Sequence, residues 1–243
     1  MVLLAICQRE LHGYFATPVA YVFMTIFLAL AGTLTFFVAG FFDRNQADLQ
    51  PFFLFHPWVY LILVPAITMR LWAEERKSGT AEMLFTLPIS LVEAVLGKFL
   101  AAWLFAGVCL LGTLPLWVTV NVLGTPDNAV IAASYLGSFL MVAAYIAIGA
   151  AMSALTHNQV IAFVLSAAVA FMFTMSGTPV VTEFLGGWLP DNAVVTLAGF
   201  SFITHFQSLS QGVLDLRDLL YFISVTALFL FLNALILDRG RAD

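Results

Sequence analysis

Apolar and polar positions fall in long blocks along this chain rather than in short alternation. Residues 19–42 carry no charge at all. A run of that length crosses a hydrocarbon layer of about 30 Å, so it predicts a transmembrane helix. Thr17-Pro18 just before it suits a helix opening, with Thr as N-cap and Pro at the first helical position. Further apolar blocks predict spans over about 53–72, 90–120, 128–155, 160–181 and 219–237. No Asp, Glu, Lys or Arg occurs between Asn128 and Thr182. That stretch is too long for one helix, and the polar break Thr156-His157-Asn158-Gln159 divides it.

Local signals refine these blocks. Pro65 and Pro115 predict bends inside the second and third spans, and Trp58, Tyr60 and Trp72 suit interface anchors. Ser90-Leu91-Val92-Glu93 is a capping box, in which hydroxyl and carboxylate satisfy otherwise orphaned amides. Lys98, two turns into the third span, is expected to snorkel back to the headgroups. Thr125-Pro126-Asp127 opens the fourth span and Asp215 caps the sixth. Ala143, Ala147 and Ala151 repeat at four-residue spacing, which permits close helix approach.

Two segments fit no span. Residues 1–16 mix Val2, Leu3, Leu4, Ile6, Leu11 and Phe15 with Gln8, Arg9, Glu10 and His12, which predicts an amphipathic helix lying in the interface. Residues 182–214 are moderately apolar but broken by Gly186, Gly187, Pro190, Asp191, Asn192 and Gly199. They predict one or two short helices dipping into or lying on the outer leaflet. The expected architecture is therefore an all-α polytopic membrane protein, one transmembrane domain over 1–243, with six spans and both termini on one side.

Composition agrees. The chain is 62% hydrophobic and 9% charged, where a soluble domain carries about 25% charged residues. Two cysteines, Cys7 and Cys109, form no redox or metal-type spacing. No cleavable signal peptide is evident, because Arg9, Glu10 and His12 precede the first apolar run. Cation placement sets the orientation. Arg9, Arg70, Arg76, Lys77, Lys98, Arg239 and Arg241 fall on the side of the termini, while only Arg44 and Arg217 fall opposite. Acidic residues divide evenly, so the side of the termini is expected to be cytoplasmic.

On that side lies the densest charge in the chain. Arg70, Glu74, Glu75, Arg76, Lys77 and Glu82 fall within thirteen residues. Downstream, Gly79 suits an N-cap and Glu82 favours a helix start. Met83, Leu84 and Leu87 then share one face, and Pro88 ends the turn. A merely solvated loop gives no reason to expose Met83, Leu84, Phe85 and Leu87 together, so the segment 73–89 predicts a docking helix.

The chemistry that is missing narrows function further. There is no Gly-x-x-x-x-Gly-Lys-Ser/Thr phosphate loop, so the chain is not expected to hydrolyse ATP alone. No His-Glu-x-x-His motif occurs, and no acidic residue is placed in mid-span. His12, His56, His157 and His205 lie far apart, at predicted interfaces or loops, where satisfying local structure is a better account of each than metal or proton chemistry. Ion-coupled carriers keep ionisable residues inside the bundle, so energy for any transport is expected from a partner.

The run from Thr68 to Ser90, centred on Glu74-Glu75-Arg76-Lys77-Ser78-Gly79-Thr80 and continuing to Leu96-Gly97-Lys98-Phe99, resembles the signature of ABC-2 type permeases, most closely the gliding-motility-type subfamily. Gln8-Arg9-Glu10-Leu11 and the late Phe202-Ile203-Thr204-His205-Phe206 extend the resemblance over nearly the whole chain. It implies a type V exporter-like permease fold with an amphipathic connecting helix at 1–16, a cytoplasmic coupling helix at 73–89 and extracytoplasmic re-entrant helices at 182–214. It implies that Glu74, Glu75, Arg76, Lys77, Ser78, Gly79, Thr80, Glu82, Met83, Leu84, Phe85 and Leu87 dock on a separate ATP-binding subunit. Two copies of that subunit would bind ATP and Mg, leaving no cofactor in this chain. The second permease position would be taken by another copy or by a permease with a large periplasmic domain. The implied setting is a bacterial inner membrane with lipid neighbours and no nucleic acid. The implied function is ATP-driven export, or alternatively transmission of force to a periplasmic partner without moving a substrate.

Overall fold

The computed structural model describes residues 2–44, 46–80 and 89–239, and no strand occurs among them. Helix α1 is Val2–Ala16 and α2 is Pro18–Thr33, prolonged by a wider π turn over Leu34–Val38. Next come α3, Gln50–Leu54, and α4, His56–Thr68. The charged segment contributes α5, Ala73–Ser78. A long bent unit follows, α6 over Leu91–Leu111 and α7 over Leu114–Leu123. Helix α8, Asn128–Ala154, and α9, Gln159–Met175, are joined by a short polar break. Three short helices, α10 Pro179–Gly186, α11 Asp191–Ala198 and α12 Phe202–Ser210, precede α13, Leu216–Arg239.

The helix starts follow local chemistry. Ser90 and Glu93 complete the capping box of α6 in both directions. Asp127 accepts from the amides of Ala129 and Val130 at the head of α8, and Asn158 does the same for Val160 and Ile161 at the head of α9. Asp215 accepts from the amide of Arg217 as α13 begins. Pro18 occupies the first turn of α2, but the Thr17 hydroxyl turns back to the Tyr14 carbonyl and makes no cap.

Helix α8 is the axis of the bundle. Met141 to Ala151 are all buried, and α13, α9, α4, α12 and α6 pack around them. Small residues make this possible. A Cβ on Gly149 would lie 2.0 Å from Thr68 Oγ1, so only glycine lets α4 and α8 approach so closely. Polar side chains tie the same contact. His56 Nδ1 and the Tyr60 hydroxyl each lie 2.7 Å from Ser138 Oγ, and the Tyr145 hydroxyl donates to the Pro57 carbonyl and meets Thr174 Oγ1 at 2.6 Å. His56, expected at an interface, is thus fully buried among Phe27, Phe52, Phe53 and Tyr60.

Four helical units among the described residues are long and apolar enough to cross a membrane: Pro18–Val38, Leu91–Leu123, Asn128–Ala154 and Leu216–Arg239. Two bent pairs raise the number to as many as six. Gln159–Met175 and Pro179–Gly186 meet at 78°, and Asp191–Ala198 and Phe202–Ser210 at 59°. The chain is therefore a multi-pass, all-helical membrane protein.

Further expectations need correction. Tyr60 and Trp72 are buried in the bundle rather than serving as interface anchors. The second span is not one helix: the chain breaks at Phe55, and α4 has 13 residues, about 20 Å at 1.5 Å per residue. The fifth apolar block does not continue straight to residue 181, because Gly177, Thr178 and Pro179 turn the chain after Met175. Lys98 does not snorkel. It is 3% exposed, held inside by two carboxylates.

Candidate functional site

The charged segment is anchored to the bundle by its first half. Helix α5 begins at Ala73, and the side chain that satisfies its leading amides comes from elsewhere in the chain. Ser153, near the end of α8, accepts from the amides of Trp72 and Ala73 at 3.1 Å each and donates to the Met69 carbonyl at 2.9 Å. One hydroxyl thus uses its donor and both its lone pairs. Arg76 reaches the carbonyl of Ala154, fastening the far side of α5 to the same end of α8. Glu74 and Glu75 in the first turn and Arg76 and Lys77 in the last match the helix dipole.

Beneath α5 lies a buried ionic knot. Lys98 Nζ is 2.7 Å from Glu75 Oε1 and 3.3 Å from Glu10 Oε1, and it sits 5.1 Å from the centre of the Trp72 ring. Arg9 adds a second cation on Glu10 at 2.7 Å. Three elements, α1, α5 and α6, therefore share one ammonium group. Burial pulls the Glu10 carboxyl upward, but Lys98 and Arg9 outweigh it and hold that group below the usual carboxylate range. A cavity of about 280 Å³ opens beside the knot, between α1, α2, α4 and α5.

The expected docking residues divide in three. Glu75 and Arg76 are structural ties, turned toward the bundle. Glu74, Lys77, Ser78, Gly79 and Thr80 are exposed. Glu74 pairs with Arg70 at 3.3 Å, and Ser78 Oγ returns to the Glu74 carbonyl at 2.9 Å and meets Thr80 Oγ1 at 2.8 Å. Gly79 has φ +73°, the left-handed turn that closes α5, which glycine adopts without a Cβ penalty. Glu82, Met83, Leu84, Phe85 and Leu87 lie outside the described residues. The helix expected over 79–88 is therefore preceded by one at Ala73–Ser78 that the apolar pattern did not predict.

The opposite end holds a second polar cluster. His205 on α12 places Nδ1 2.6 Å from Asp218 Oδ1 and donates from Nε2 to the Gly199 carbonyl at 2.9 Å. Its ring stacks on Tyr221 at 3.9 Å, and the Tyr221 hydroxyl donates to the Phe200 carbonyl. Asp218 is 7% exposed in the first turn of α13. His205, expected to satisfy local structure, does so, but its pairing with Asp218 thirteen residues on carries no signal in the sequence. Each of these named atoms closes a bond to neighbouring backbone or side chain.

These features define a class: a multi-pass helical membrane protein whose charged connection is bolted to the central helix at one face of the bundle. A family described as ABC-2 family transporter protein matches residues 49–237, more than three-quarters of the chain, and the chain belongs to that family. The match begins before α3 and ends within α13, so it covers the charged segment and the central helix. Family membership makes the chain the membrane-embedded permease type of subunit, which works with an ABC ATP-binding partner. No curated protein matches the chain by sequence.

Proposed function

We propose that the chain is the permease subunit of an ATP-driven exporter in a bacterial inner membrane, powered by a separate ATP-binding subunit that docks on residues 73–89. In this arrangement α2, the shorter α4, α6 with α7, α8, α9 and α13 are the six spans, and both termini and the charged segment face the cytoplasm. Two ATP-binding subunits serve two permeases, the second being another copy of this chain or a permease with a periplasmic domain of the gliding-motility type. Helix α1 is the connecting helix, and α10 to α12 form the re-entrant elements on the outer side.

One observation carries the proposal: the way α5 is fixed. A docking element transmits force only if it is joined stiffly to what must move. Ser153 and Arg76 join α5 to α8, and Glu75 joins it through Lys98 to α6 and α1. A solvated loop that merely enforced topology would need none of these ties. The exposed residues Lys77 and Thr80, and the apolar Met83, Leu84 and Phe85 beyond them, remain for the partner.

The test uses the chain assembled with its ATP-binding subunit in proteoliposomes. Lys77→Glu combined with Leu84→Asp alters the contact and spares the ties to the bundle. Glu75 is left intact because its loss would strip Lys98 of a counter-charge. Permease-stimulated ATP hydrolysis is expected to fall about tenfold or more, the scale on which interface anchors act, with membrane insertion unchanged. Unaltered stimulation in that variant overturns the docking role.

A further inference from the structure

The cavity beside the ionic knot has the lining of a headgroup site. Its polar side is made by Glu10, Glu74 and Glu75 together with Arg70 and Lys98, and its apolar wall by Tyr14, Val19, Ala20, Phe23, Ile67 and Phe105. Glu10 is balanced by Arg9 and Lys98, and Glu75 by Lys98, so Glu74, whose side chain is 55% exposed, is the carboxylate left open to a ligand cation. Arg70 still has capacity: it uses its Nε on Glu74, whereas Lys98 is enclosed by Glu75, Glu10 and the Trp72 ring. A guanidinium offers five N–H donors, so Arg70 retains N–H groups for an anion and presents the planar fork that suits a phosphate.

Position narrows the ligand. The cavity lies where the uncharged stretch of α2 begins at Pro18 and where the apolar block containing α4 gives way to Arg70. That is the depth of lipid headgroups, with the apolar wall running toward the hydrocarbon and Val19 partly open to it. About 280 Å³ falls at the small end of ligand pockets, which run from roughly 300 to 1,000 Å³. It holds a headgroup and the first carbons of a chain, while the remainder of the chain lies along α2.

We infer that this cavity binds a zwitterionic phospholipid bearing a primary amine. The phosphate sits against the Arg70 guanidinium, and the ammonium donates to the surrounding carboxylates, Glu74 foremost because it is the most open of the three. A quaternary amine has no N–H to donate. An anionic lipid without an amine has no cation to offer the open carboxylate of Glu74. The site is thus selective on both halves of the headgroup, and it lies directly under α5.

Native mass spectrometry of the purified full-length chain, mixed with equal amounts of phosphatidylethanolamine, phosphatidylcholine and phosphatidylglycerol of matched chains, tests this inference. Phosphatidylethanolamine is expected to be retained about tenfold over either competitor, a difference of about 1.4 kcal/mol. Arg70→Gln is expected to abolish the preference over phosphatidylcholine. Glu74→Gln, a surface change that leaves the buried knot intact, is expected to reduce it several-fold, so the inference remains testable if the Arg70 variant folds poorly. Equal retention of the three lipids, or a preference that survives both substitutions, overturns the inference. Displacement of the lipid by free phosphoethanolamine at equal concentration overturns it also, since that result assigns the cavity to a soluble headgroup.

Discussion

The two ends of the bundle are held together by different physics. At the charged end, one buried ammonium is shared by carboxylates from two other elements, and two further ties fasten α5 to α8. At the opposite end, pairing runs through uncharged hydroxyls and amides and one His–Asp contact, some of it long-range, as where Ser134 donates to the Ser210 carbonyl. Trp117 donates to Asn128 Oδ1, Asn121 and Asn128 bond to each other, Thr113 meets Tyr135, and His205 closes the elbow between α11 and α13. Helices α10 and α11 have no buried residue at all. The first end is built as a charged joint linking three elements through one ammonium, the second as neutral contacts that fix α12 to α8 and leave α10 and α11 lying on the surface. A push at the joint reaches several helices, whereas a disturbance in α10 or α11 meets no buried side chain.

The sharpest way to break this contrast is Lys98→Ala. It leaves Glu10 and Glu75 facing each other without their shared cation, and losing one partner of a buried pair costs about 3–5 kcal/mol. A lower thermal unfolding midpoint in detergent, with α1 and residues 73–80 becoming protease-sensitive together, is the expected outcome. Cleavage confined to one of the two segments would show that the knot does not join them. His205→Ala is expected to be milder, about 1.5–3 kcal/mol for a buried hydrogen-bonded carboxylate left unpaired. Hydrogen exchange should rise in residues 191–221 and stay unchanged at 70–80. A rise at both ends would erase the distinction. The smallest effect concerns acid. Glu10 ionises more readily in the folded chain than in the unfolded one, so its contribution is complete above the ordinary carboxylate value of about 4.3 and is lost as pH falls through its lower folded value. Glu10→Gln should flatten the acid-side decline of the melting temperature, with a change below about 1 kcal/mol because Arg9, on the other side of Glu10, is largely in water.

Much of the architecture was legible because a membrane simplifies the code. The uncharged blocks behind α2, α8 and α13, the helix starts at Ser90, Asp127 and Asp215, and the polar break containing Asn158 act within a few residues and were readable one by one. The turn at Gly177-Thr178-Pro179 was also written in the sequence, but continued apolarity to residue 181 outweighed it as a signal. Lys98 was misjudged for a deeper reason. A lone cation two turns into an apolar block looks like a snorkelling residue unless its partners are known, and they lie 23 and 88 residues away. The charged segment was readable as a location but not in its manner of attachment: nothing in Ser153 itself announces that it will serve as the cap of a helix eighty residues earlier. His205 was readable as a residue satisfying local structure, but its pairing with Asp218 was not, because neither belongs to a periodic pattern.

The contact at Gly149 has a consequence for how any motion is shared out. With no room for even a methyl group between α4 and α8, and with Ser138 and Tyr145 pinning the same pair of helices from within, the two behave as a single girder. Whatever swings must therefore hinge around that girder, and the chain supplies two corners for doing so: the 78° bend after Met175 and the 59° bend between α11 and α12.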